Sequence, residues 1–288
     1  MSAAPICVVT GASSGIGKET ARGLVERGMH VVIVCRNRAK GESTREELLA
    51  SAPDATVDLF LADLSLLAEV RRLGDELRAA YGSIDALVNN AGVNLSRPEP
   101  TIEGFDAMMA TNYLAPVLLT HVVGDLLLAA PQGRVVNVAS EAHRTAPAVN
   151  LDQLPDLGEY SSGVSANRAY GLTKLLLILH TQELARHLDG STVTANSLCP
   201  GLVATNLVGE QSLATRVAGV LSRTPLVRTP KKGAEMSIKL ASDRTMAGVS
   251  GRFFSSTPGA GVLPAVRARG DAELQRQLWE RTDRWLGR

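Results

Sequence analysis

The stretch Thr10-Gly11-Ala12-Ser13-Ser14-Gly15-Ile16-Gly17 constrains the fold more than any other part of the chain. It follows an apolar run, Ile6-Cys7-Val8-Val9, that reads as a buried parallel strand. It leads into Lys18 to Arg27, which reads as a helix with Ala21, Leu24 and Val25 on one face. Met29 to Cys35 is then a second, β-branched strand, so the chain opens with a βαβ unit whose first turn carries the glycines. Such a turn, with its backbone close to a diphosphate, leaves no room for side chains at Gly11, Gly15 or Gly17. The helix N-terminus offers N–H groups and the positive end of its dipole to phosphates, and the hydroxyls of Ser13 and Ser14 add donors. The unit is therefore read as a dinucleotide site, with Ile16 inside it; an ordinary tight turn is the alternative.

Strand two ends at Val34-Cys35-Arg36-Asn37-Arg38, a position that bears on the type of dinucleotide. An acidic residue about 20 positions past the glycines would bind the ribose 2′-hydroxyl of NAD. Arg36 holds that place, with Asn37 beside it, Arg38 nearby and Lys18 just after the last glycine. Cations suit a 2′-phosphate and a carboxylate would repel it, so the expected cofactor is NADP(H). The alternative is that Arg36 and Arg38 are solvated loop charges.

Ala39 to Ala50 reads as a surface helix and Thr56 to Leu61 as strand three, followed by Ala62-Asp63-Leu64. Asp63, with Leu64 beside it, is a candidate adenine contact or an N-terminal acid of the helix read over Ser65 to Tyr81. Ile84 to Val88, strand four, runs into Asn89-Asn90-Ala91-Gly92, where small residues and amides suit a wall against a cofactor. Thr101 to Ala110 reads as a short helix and Thr111 to Leu128 as a long apolar one. Asn112 in that apolar helix needs a reason, such as satisfying backbone groups that Pro116 leaves free.

Gly133 to Val138, strand five, ends at Ala139-Ser140, at the edge of a parallel sheet where ligands sit. Ser140 is a candidate there, and His143 reads as structural or substrate-lining rather than as a base. Residues 145–167 read as a surface excursion close to Ser140 that lines the substrate site. Tyr170-Gly171-Leu172-Thr173-Lys174 then opens a helix running to about His187, with Tyr170 and Lys174 facing the same way. A phenol has an unperturbed pKa of about 10, and a nearby ammonium lowers it, so the pair can exchange a proton with a carbonyl or alcohol oxygen. Thr192 to Leu198 is strand six, broken at Cys199-Pro200-Gly201, with Val203 and Thr205 at the same edge as further cofactor contacts. Residues 202–228 read as an apolar lid, Pro230 to Ser242 as a helix, Gly251 to Phe254 as a last strand and 271–286 as a C-terminal amphipathic helix.

Composition closes off other classes. The 30 basic and 29 acidic residues nearly cancel and form no polybasic tract, so no nucleic-acid partner is expected. Cys7, Cys35 and Cys199 have no paired spacing and read as small core residues of a reducing compartment. Strand one begins by Ile6, leaving no room for a signal peptide, and no run of about 18 apolar residues occurs. The expectation is one cytoplasmic domain over 1–288, without a membrane anchor and without a metal.

Taken together, Thr10-Gly11, Gly15-Ile16-Gly17, Asn89-Asn90-Ala91-Gly92, Asn112, Ser140, Tyr170 with Lys174, and Pro200-Gly201 resemble the short-chain dehydrogenases/reductases, in that family's order and over nearly the whole chain. Gly17-Lys18-Glu19-Thr20, Cys35-Arg36-Asn37 and Asn137-Val138-Ala139-Ser140-Glu141-Ala142-His143 resemble its retinol-dehydrogenase-like and protochlorophyllide-reductase-like branch. Ala139 stands where that branch usually has serine. The resemblance implies an α/β, Rossmann-type doubly wound sheet of seven parallel strands, order 3-2-1-4-5-6-7, with helices on both faces. It also implies that Tyr170 is the acid/base, that Lys174 binds the nicotinamide ribose, that Ser140 holds the substrate oxygen and that Asn112 places a water in a proton relay.

The expected activity is NADP(H)-dependent interconversion of a carbonyl and an alcohol on a hydrophobic small molecule. The alternatives are reduction of a conjugated C=C bond and a non-catalytic, NADP-sensing regulator. The helices from Thr111 and from Tyr170 carry apolar faces of the kind that form homo-oligomer interfaces in the family.

Overall fold

The apolar runs form seven parallel strands of one sheet: β1 (Ile6–Thr10), β2 (His30–Cys35), β3 (Val57–Leu61), β4 (Ala86–Asn89), β5 (Arg134–Val138), β6 (Thr194–Cys199) and β7 (Phe253–Ser255). The computed structural model describes residues 4–201, 203 and 228–288. The strand order is β3-β2-β1-β4-β5-β6-β7, the expected Rossmann-type arrangement. In register, Val8 of β1 lies beside Val32 of β2 on one side and Leu87 of β4 on the other. The order reverses between β1 and β4, so a crevice opens at their carboxyl ends.

Nine α-helical segments among the described residues cover the sheet: α1 (Gly15–Val25), α2 (Arg38–Ser51), α3 (Leu67–Ala80), α4 (Ala107–Met109), α5 (Ala115–Val122), α6 (Gly124–Ala129), α7 (Gly163–His187), α8 (Pro230–Ser242) and α9 (Ala272–Trp285). Successive strand residues point to opposite faces, which explains the two main cores. Val9, Ile33 and Val88 pack with Leu24 of α1 and Leu240 of α8. Val8, Val32 and Leu87 pack with Leu73, Leu118, Leu176 and Leu278 on the other face. A buried polar ladder crosses that second layer. The Asn89 amide donates to Asn137 Oδ1 (2.8 Å) and to Thr120 Oγ1 (3.1 Å), and the Asn137 amide donates to Thr181 Oγ1 (2.9 Å) of α7.

Several boundaries differ from the sequence reading, each for a local reason. The helix expected over Thr101 to Ala110 starts only at Ala107, because Gly104 is left-handed (φ +84°) and Asp106 caps Met108 and Met109. The long helix expected from Thr111 to Leu128 is a π-helical turn (Ala110–Leu114), then α5, then α6, with a break at Val123. The helix carrying Tyr170 begins seven residues earlier, at Gly163, where Ser162 and Ser165 form a reciprocal capping box. Residues 163–167 of the expected excursion are therefore helical. The α3 helix starts at Leu67, and its first amides are taken by Glu103, which accepts from Leu67 (2.6 Å) and Ala68 (2.9 Å). Asp63, expected as the helix acid, instead accepts from the Ser65 amide (3.0 Å) in a local turn. The lid expected over 202–228 and the expected cofactor contact at Thr205 lie outside the described residues, apart from Val203 and Arg228.

The C-terminal helix lies across the faces assigned above to self-association. Leu278 of α9 is wholly buried, Thr282 shares a hydrogen bond with Tyr113 (2.6 Å), and Arg71 of α3 donates to the Leu286 carbonyl. The apolar sides of α5 and α7 are thus partly covered by the chain itself. Among the described residues, no helix is long and apolar enough to cross a membrane.

Truncating Leu278 to Ala should leave a cavity under α9 and cost about 2–5 kcal/mol, read as a lower midpoint in urea unfolding; a loss under about 0.5 kcal/mol, the scale of a surface change, would mean that α9 is not part of the cooperative core.

Candidate active site

The turn after β1 and the turn after β4 are bound to each other before any ligand is considered. Thr10 Oγ1 accepts from the amides of Asn90 (3.0 Å) and Ala91 (3.1 Å), and Asn90 Nδ2 donates to the Thr10 carbonyl (2.9 Å). Gly11 is left-handed (φ +65°), and a Cβ on it would stand 2.8 Å from Ala91 Cα. Gly17 has an ordinary φ, but a Cβ there would collide with Asn90 Nδ2 and the Gly11 carbonyl. The last glycine of the motif is therefore required by packing of the helix on the turn, not by the sharpness of the turn. Helix α1 starts without a side-chain cap from Ser14 and without an acid in its first turn. Its leading amides thus suit an anion, and Ser13 and Ile16 flank them.

The cations expected at the end of β2 divide. Lys18 is engaged by Glu47, and Arg38 lies 3.5 Å from Glu42. Arg36 is largely exposed, with Asp63 3.7 Å away; solvent screening leaves little energy in that pair. Asn37 caps α2, accepting from the Lys40 amide (3.0 Å). Leu64 packs against the apolar core.

Ser140, Tyr170, Lys174 and Asn112 converge at the carboxyl ends of β4 and β5. Ser140 follows β5 and caps the 3₁₀ turn Glu141–Thr145, accepting from the Ala142 amide (3.1 Å). That turn packs directly on α7. The contact depends on Gly171, since a Cβ there would strike the Ala142 carbonyl and stand 2.7 Å from Thr145 Oγ1. The Tyr170 phenol lies near enough to the Ser140 side chain to feel it. One turn further on, Lys174 Nζ donates to the Val138 carbonyl (2.9 Å) and lies 5.7 Å from the Tyr170 ring centre. Asn112, on the π-helical turn, accepts from the Val93 amide and donates to its carbonyl (2.8 Å each), and also donates to Thr173 Oγ1 (3.1 Å). It does not repair groups left by Pro116, as its position had implied; it clamps the loop after β4. Gly92 borders the same space, where a Cβ would approach Asn112 Oδ1 and Lys174 Nζ to 3.2 and 3.3 Å.

Electrostatics here differ from the expectation in one respect. Burial holds the Tyr170 phenol above its ordinary range, and the nearby Ser140 side chain acts in the opposite direction. Burial brings the Lys174 ammonium down to about 8. Burial, rather than the neighbouring ammonium, sets the direction in which the phenol is shifted. His143 is fully buried and held down by burial; its Nδ1 hydrogen-bonds with the Ser140 carbonyl (2.8 Å) and its ring meets Phe253 edge-on. It orients Ser140, as its structural reading anticipated. Cys199 is more than a core residue: its Sγ accepts from the amides of Glu141 (3.2 Å) and Gly201 (3.4 Å), tying the turns after β5 and β6. Pro200 and Gly201 continue from it, and Val203 bridges to Arg228. Thr10, Glu103 and Cys199 were not singled out in the sequence as partners of neighbouring backbone, nor Gly171 as the place where the Ser140 turn rests on α7. Only the pairing of loops in space reveals these roles.

Residues 5–150 match the family model described as short chain dehydrogenase, and residues 158–256 match one described as enoyl-(acyl carrier protein) reductase. The chain belongs to the short-chain dehydrogenase/reductase family of oxidoreductases, which use NAD(P)(H). Human retinol dehydrogenase 12 is 35% identical over 282 residues, covering 98% of this chain and 86% of that protein. Mouse retinol dehydrogenase 14 is 34% identical over 97% of this chain and 85% of its own length. Among solved structures, an uncharacterised protein of Mycobacterium paratuberculosis superposes with a TM-score of 0.75 at 27% identity, covering 98% of this chain and 93% of its own. An actinorhodin polyketide ketoreductase solved with NADPH gives 0.71 at 26% identity, covering 91% of this chain and all of its own.

The buried lysine makes stability depend on pH with a definite sign. Between about 8 and about 10.5 the unfolded chain holds the Lys174 proton and the folded chain does not, so stability rises with pH. Burial of Cys7, Cys35, Cys199 and Tyr170 acts in the reverse sense, so the comparison is with Lys174→Met. Wild type should gain on the order of 1–2 kcal/mol over that variant from about pH 8 to about pH 9.5 in denaturant titrations; parallel curves would show that the folded protein keeps the ammonium.

Proposed function

We propose that the protein is an NADP(H)-dependent oxidoreductase that interconverts a carbonyl and an alcohol on a small, hydrophobic molecule in the cytoplasm. The observation that carries the reading is the convergence of the Tyr170 phenol and the Ser140 side chain, with buried Lys174 one helical turn beyond, held by the Val138 carbonyl. The uncapped start of α1, joined to Gly11 and Gly15, fits the diphosphate of the coenzyme. Asn90, Ala91 and Gly92 would flank its nicotinamide half with Lys174, Pro200, Gly201 and Val203, and Arg36 would meet the 2′-phosphate. When bound there, the coenzyme supplies or accepts the hydride.

The chain's own residues then manage the oxygen. Ser140 Oγ accepts from the Ala142 amide, so its hydrogen is available to a substrate oxygen. The Tyr170 phenol, kept protonated by burial, has the form needed to donate as that oxygen gains charge. Lys174, held by the Val138 carbonyl, would stabilise the phenolate left behind and hold the nicotinamide ribose. Asn112, locked on Val93, fixes the wall where a relay water would stand. The retinol dehydrogenases and the ketoreductase among the relatives support the carbonyl/alcohol reading. The enoyl reductase description of the model matched by 158–256 favours C=C reduction as a second reading, and the availability of Ser140 to a carbonyl oxygen favours the first.

Two experiments test this. A fluorescence titration should give NADPH a Kd at least about tenfold below that of NADH (~1.4 kcal/mol), and Arg36→Ala should erase the difference by weakening NADPH alone. Preference for NADH would overturn the cofactor reading and leave the chemistry standing. With a panel of hydrophobic ketones and aldehydes, Tyr170→Phe should lower kcat about 10²–10⁴-fold while NADPH binding persists; undiminished turnover would remove Tyr170 from the reaction.

A further inference from the structure

The residue Ser140 is hung on β6 from both sides. The amide before it, that of Ala139, donates to the Leu198 carbonyl (2.7 Å), the last rung between β5 and β6. The amide after it, that of Glu141, donates not to a carbonyl but to Cys199 Sγ (3.2 Å). Cys199 is the last residue of β6, and Pro200 beyond it has no N–H to offer. A side chain therefore takes over where the backbone ladder stops.

The same sulfur has two further partners. It accepts from the Gly201 amide (3.4 Å) and lies 3.6 Å from the Thr257 hydroxyl. One buried thiol thus reaches the loops that leave β5, β6 and β7. A free buried cysteine ordinarily packs as a small hydrophobe, whereas this one uses its acceptor capacity on two amides of different loops. Among the described residues, no other side chain joins the Ser140 turn to the Pro200–Gly201 turn by hydrogen bonds. Gly201 is itself hemmed in, since a Cβ there would stand 2.8 Å from Arg228 Cδ and 3.3 Å from the Ser256 carbonyl oxygen.

The two turns that this thiol joins serve opposite reactants in the carbonyl/alcohol reading given above, on which the inference rests. The turn after β5 presents Ser140 to the substrate oxygen, and the turn after β6 would flank the nicotinamide. Hydride transfer depends steeply on how closely its two carbons are brought together. We propose that Cys199 is a positioning residue for that transfer, its thiol fixing the distance between the Ser140 turn and the coenzyme wall at Gly201. The role needs an acceptor at this point, not merely bulk. Without one, the Glu141 and Gly201 amides lose the partner they share, and each turn is free to settle apart from the other.

Single-turnover kinetics test this. Wild type, Cys199→Ala, Cys199→Val and Cys199→Ser are each loaded with NADPH and mixed rapidly with an excess of a ketone from the panel above. Cys199→Ala and Cys199→Val should slow the first turnover by about 10- to 10²-fold, with the Kd for NADPH close to that of wild type. With NADPH deuterated at the transferred position, the slowed step should show a primary isotope effect. Cys199→Ser keeps an acceptor and should recover most of the loss. If the alanine variant does not fold, valine, which fills the space without an acceptor, is compared with serine. An unchanged rate in the variants that lack an acceptor, a slowed step without an isotope effect, or serine as slow as valine would overturn the role of Cys199 alone. A wild-type protein that reduces nothing in the panel would overturn the carbonyl/alcohol reading, and the inference with it.

Discussion

The Thr10 hydroxyl accepts from the amides of Asn90 and Ala91 and so joins the turn after β1 to the turn after β4, across the point where strand order reverses. A parallel sheet puts all its strand ends on one edge but does nothing to fix the loops that leave them. Here the loops are held by short polar links: Thr10 with Asn90, Asn112 with Val93, and Cys199 with Glu141 and Gly201. Each uses a small side chain against backbone, which leaves the crevice open. Position and rigidity arise from the same contacts, as a site with preorganised donors requires.

Much of this was legible in the chain. Continuous apolar runs marked the strands because both faces of the sheet are buried, and the Gly-rich turn marked the crevice because few other residues allow that geometry. Tyr170, Lys174 and Ser140 were legible as a set, through spacing and family resemblance, and the structure brings them together. What escaped the reading depends on contacts distant in sequence. Glu103 caps a helix that begins 36 positions earlier. Gly171 looks like an interruption between Tyr170 and Lys174 until the Ser140 turn is seen lying on it. The capping box at Ser162 and Ser165 was obscured by a stretch that reads as loop, because serines signal caps and turns alike.

Burial governs the chemistry as much as geometry does. Tyr170 and Lys174 are both enclosed, and enclosure favours the neutral form of each. The phenol keeps its proton more firmly and the ammonium holds its own less firmly. Each group is then sensitive to what charge arrives beside it, since a low dielectric magnifies a neighbour's field. In this family a charged dinucleotide is the neighbour to be expected, so the proton affinities that matter in turnover are set jointly by chain and coenzyme.

The ladder from Asn89 through Asn137 to Thr181 bears on where Tyr170 points. Thr181 follows Tyr170 by 11 residues, about three turns of helix, so the two side chains leave α7 in nearly the same direction. If α7 rolled on its axis, the Asn137 amide would lose its acceptor inside an apolar layer, and a stranded amide there has no water to turn to. Aliphatic contacts such as Leu175 and Leu176 tolerate small rotations; this hydrogen bond does not. The ladder is thus a keyway for the helix, and the aim of the phenol is set in part by an asparagine buried under α7 three turns away.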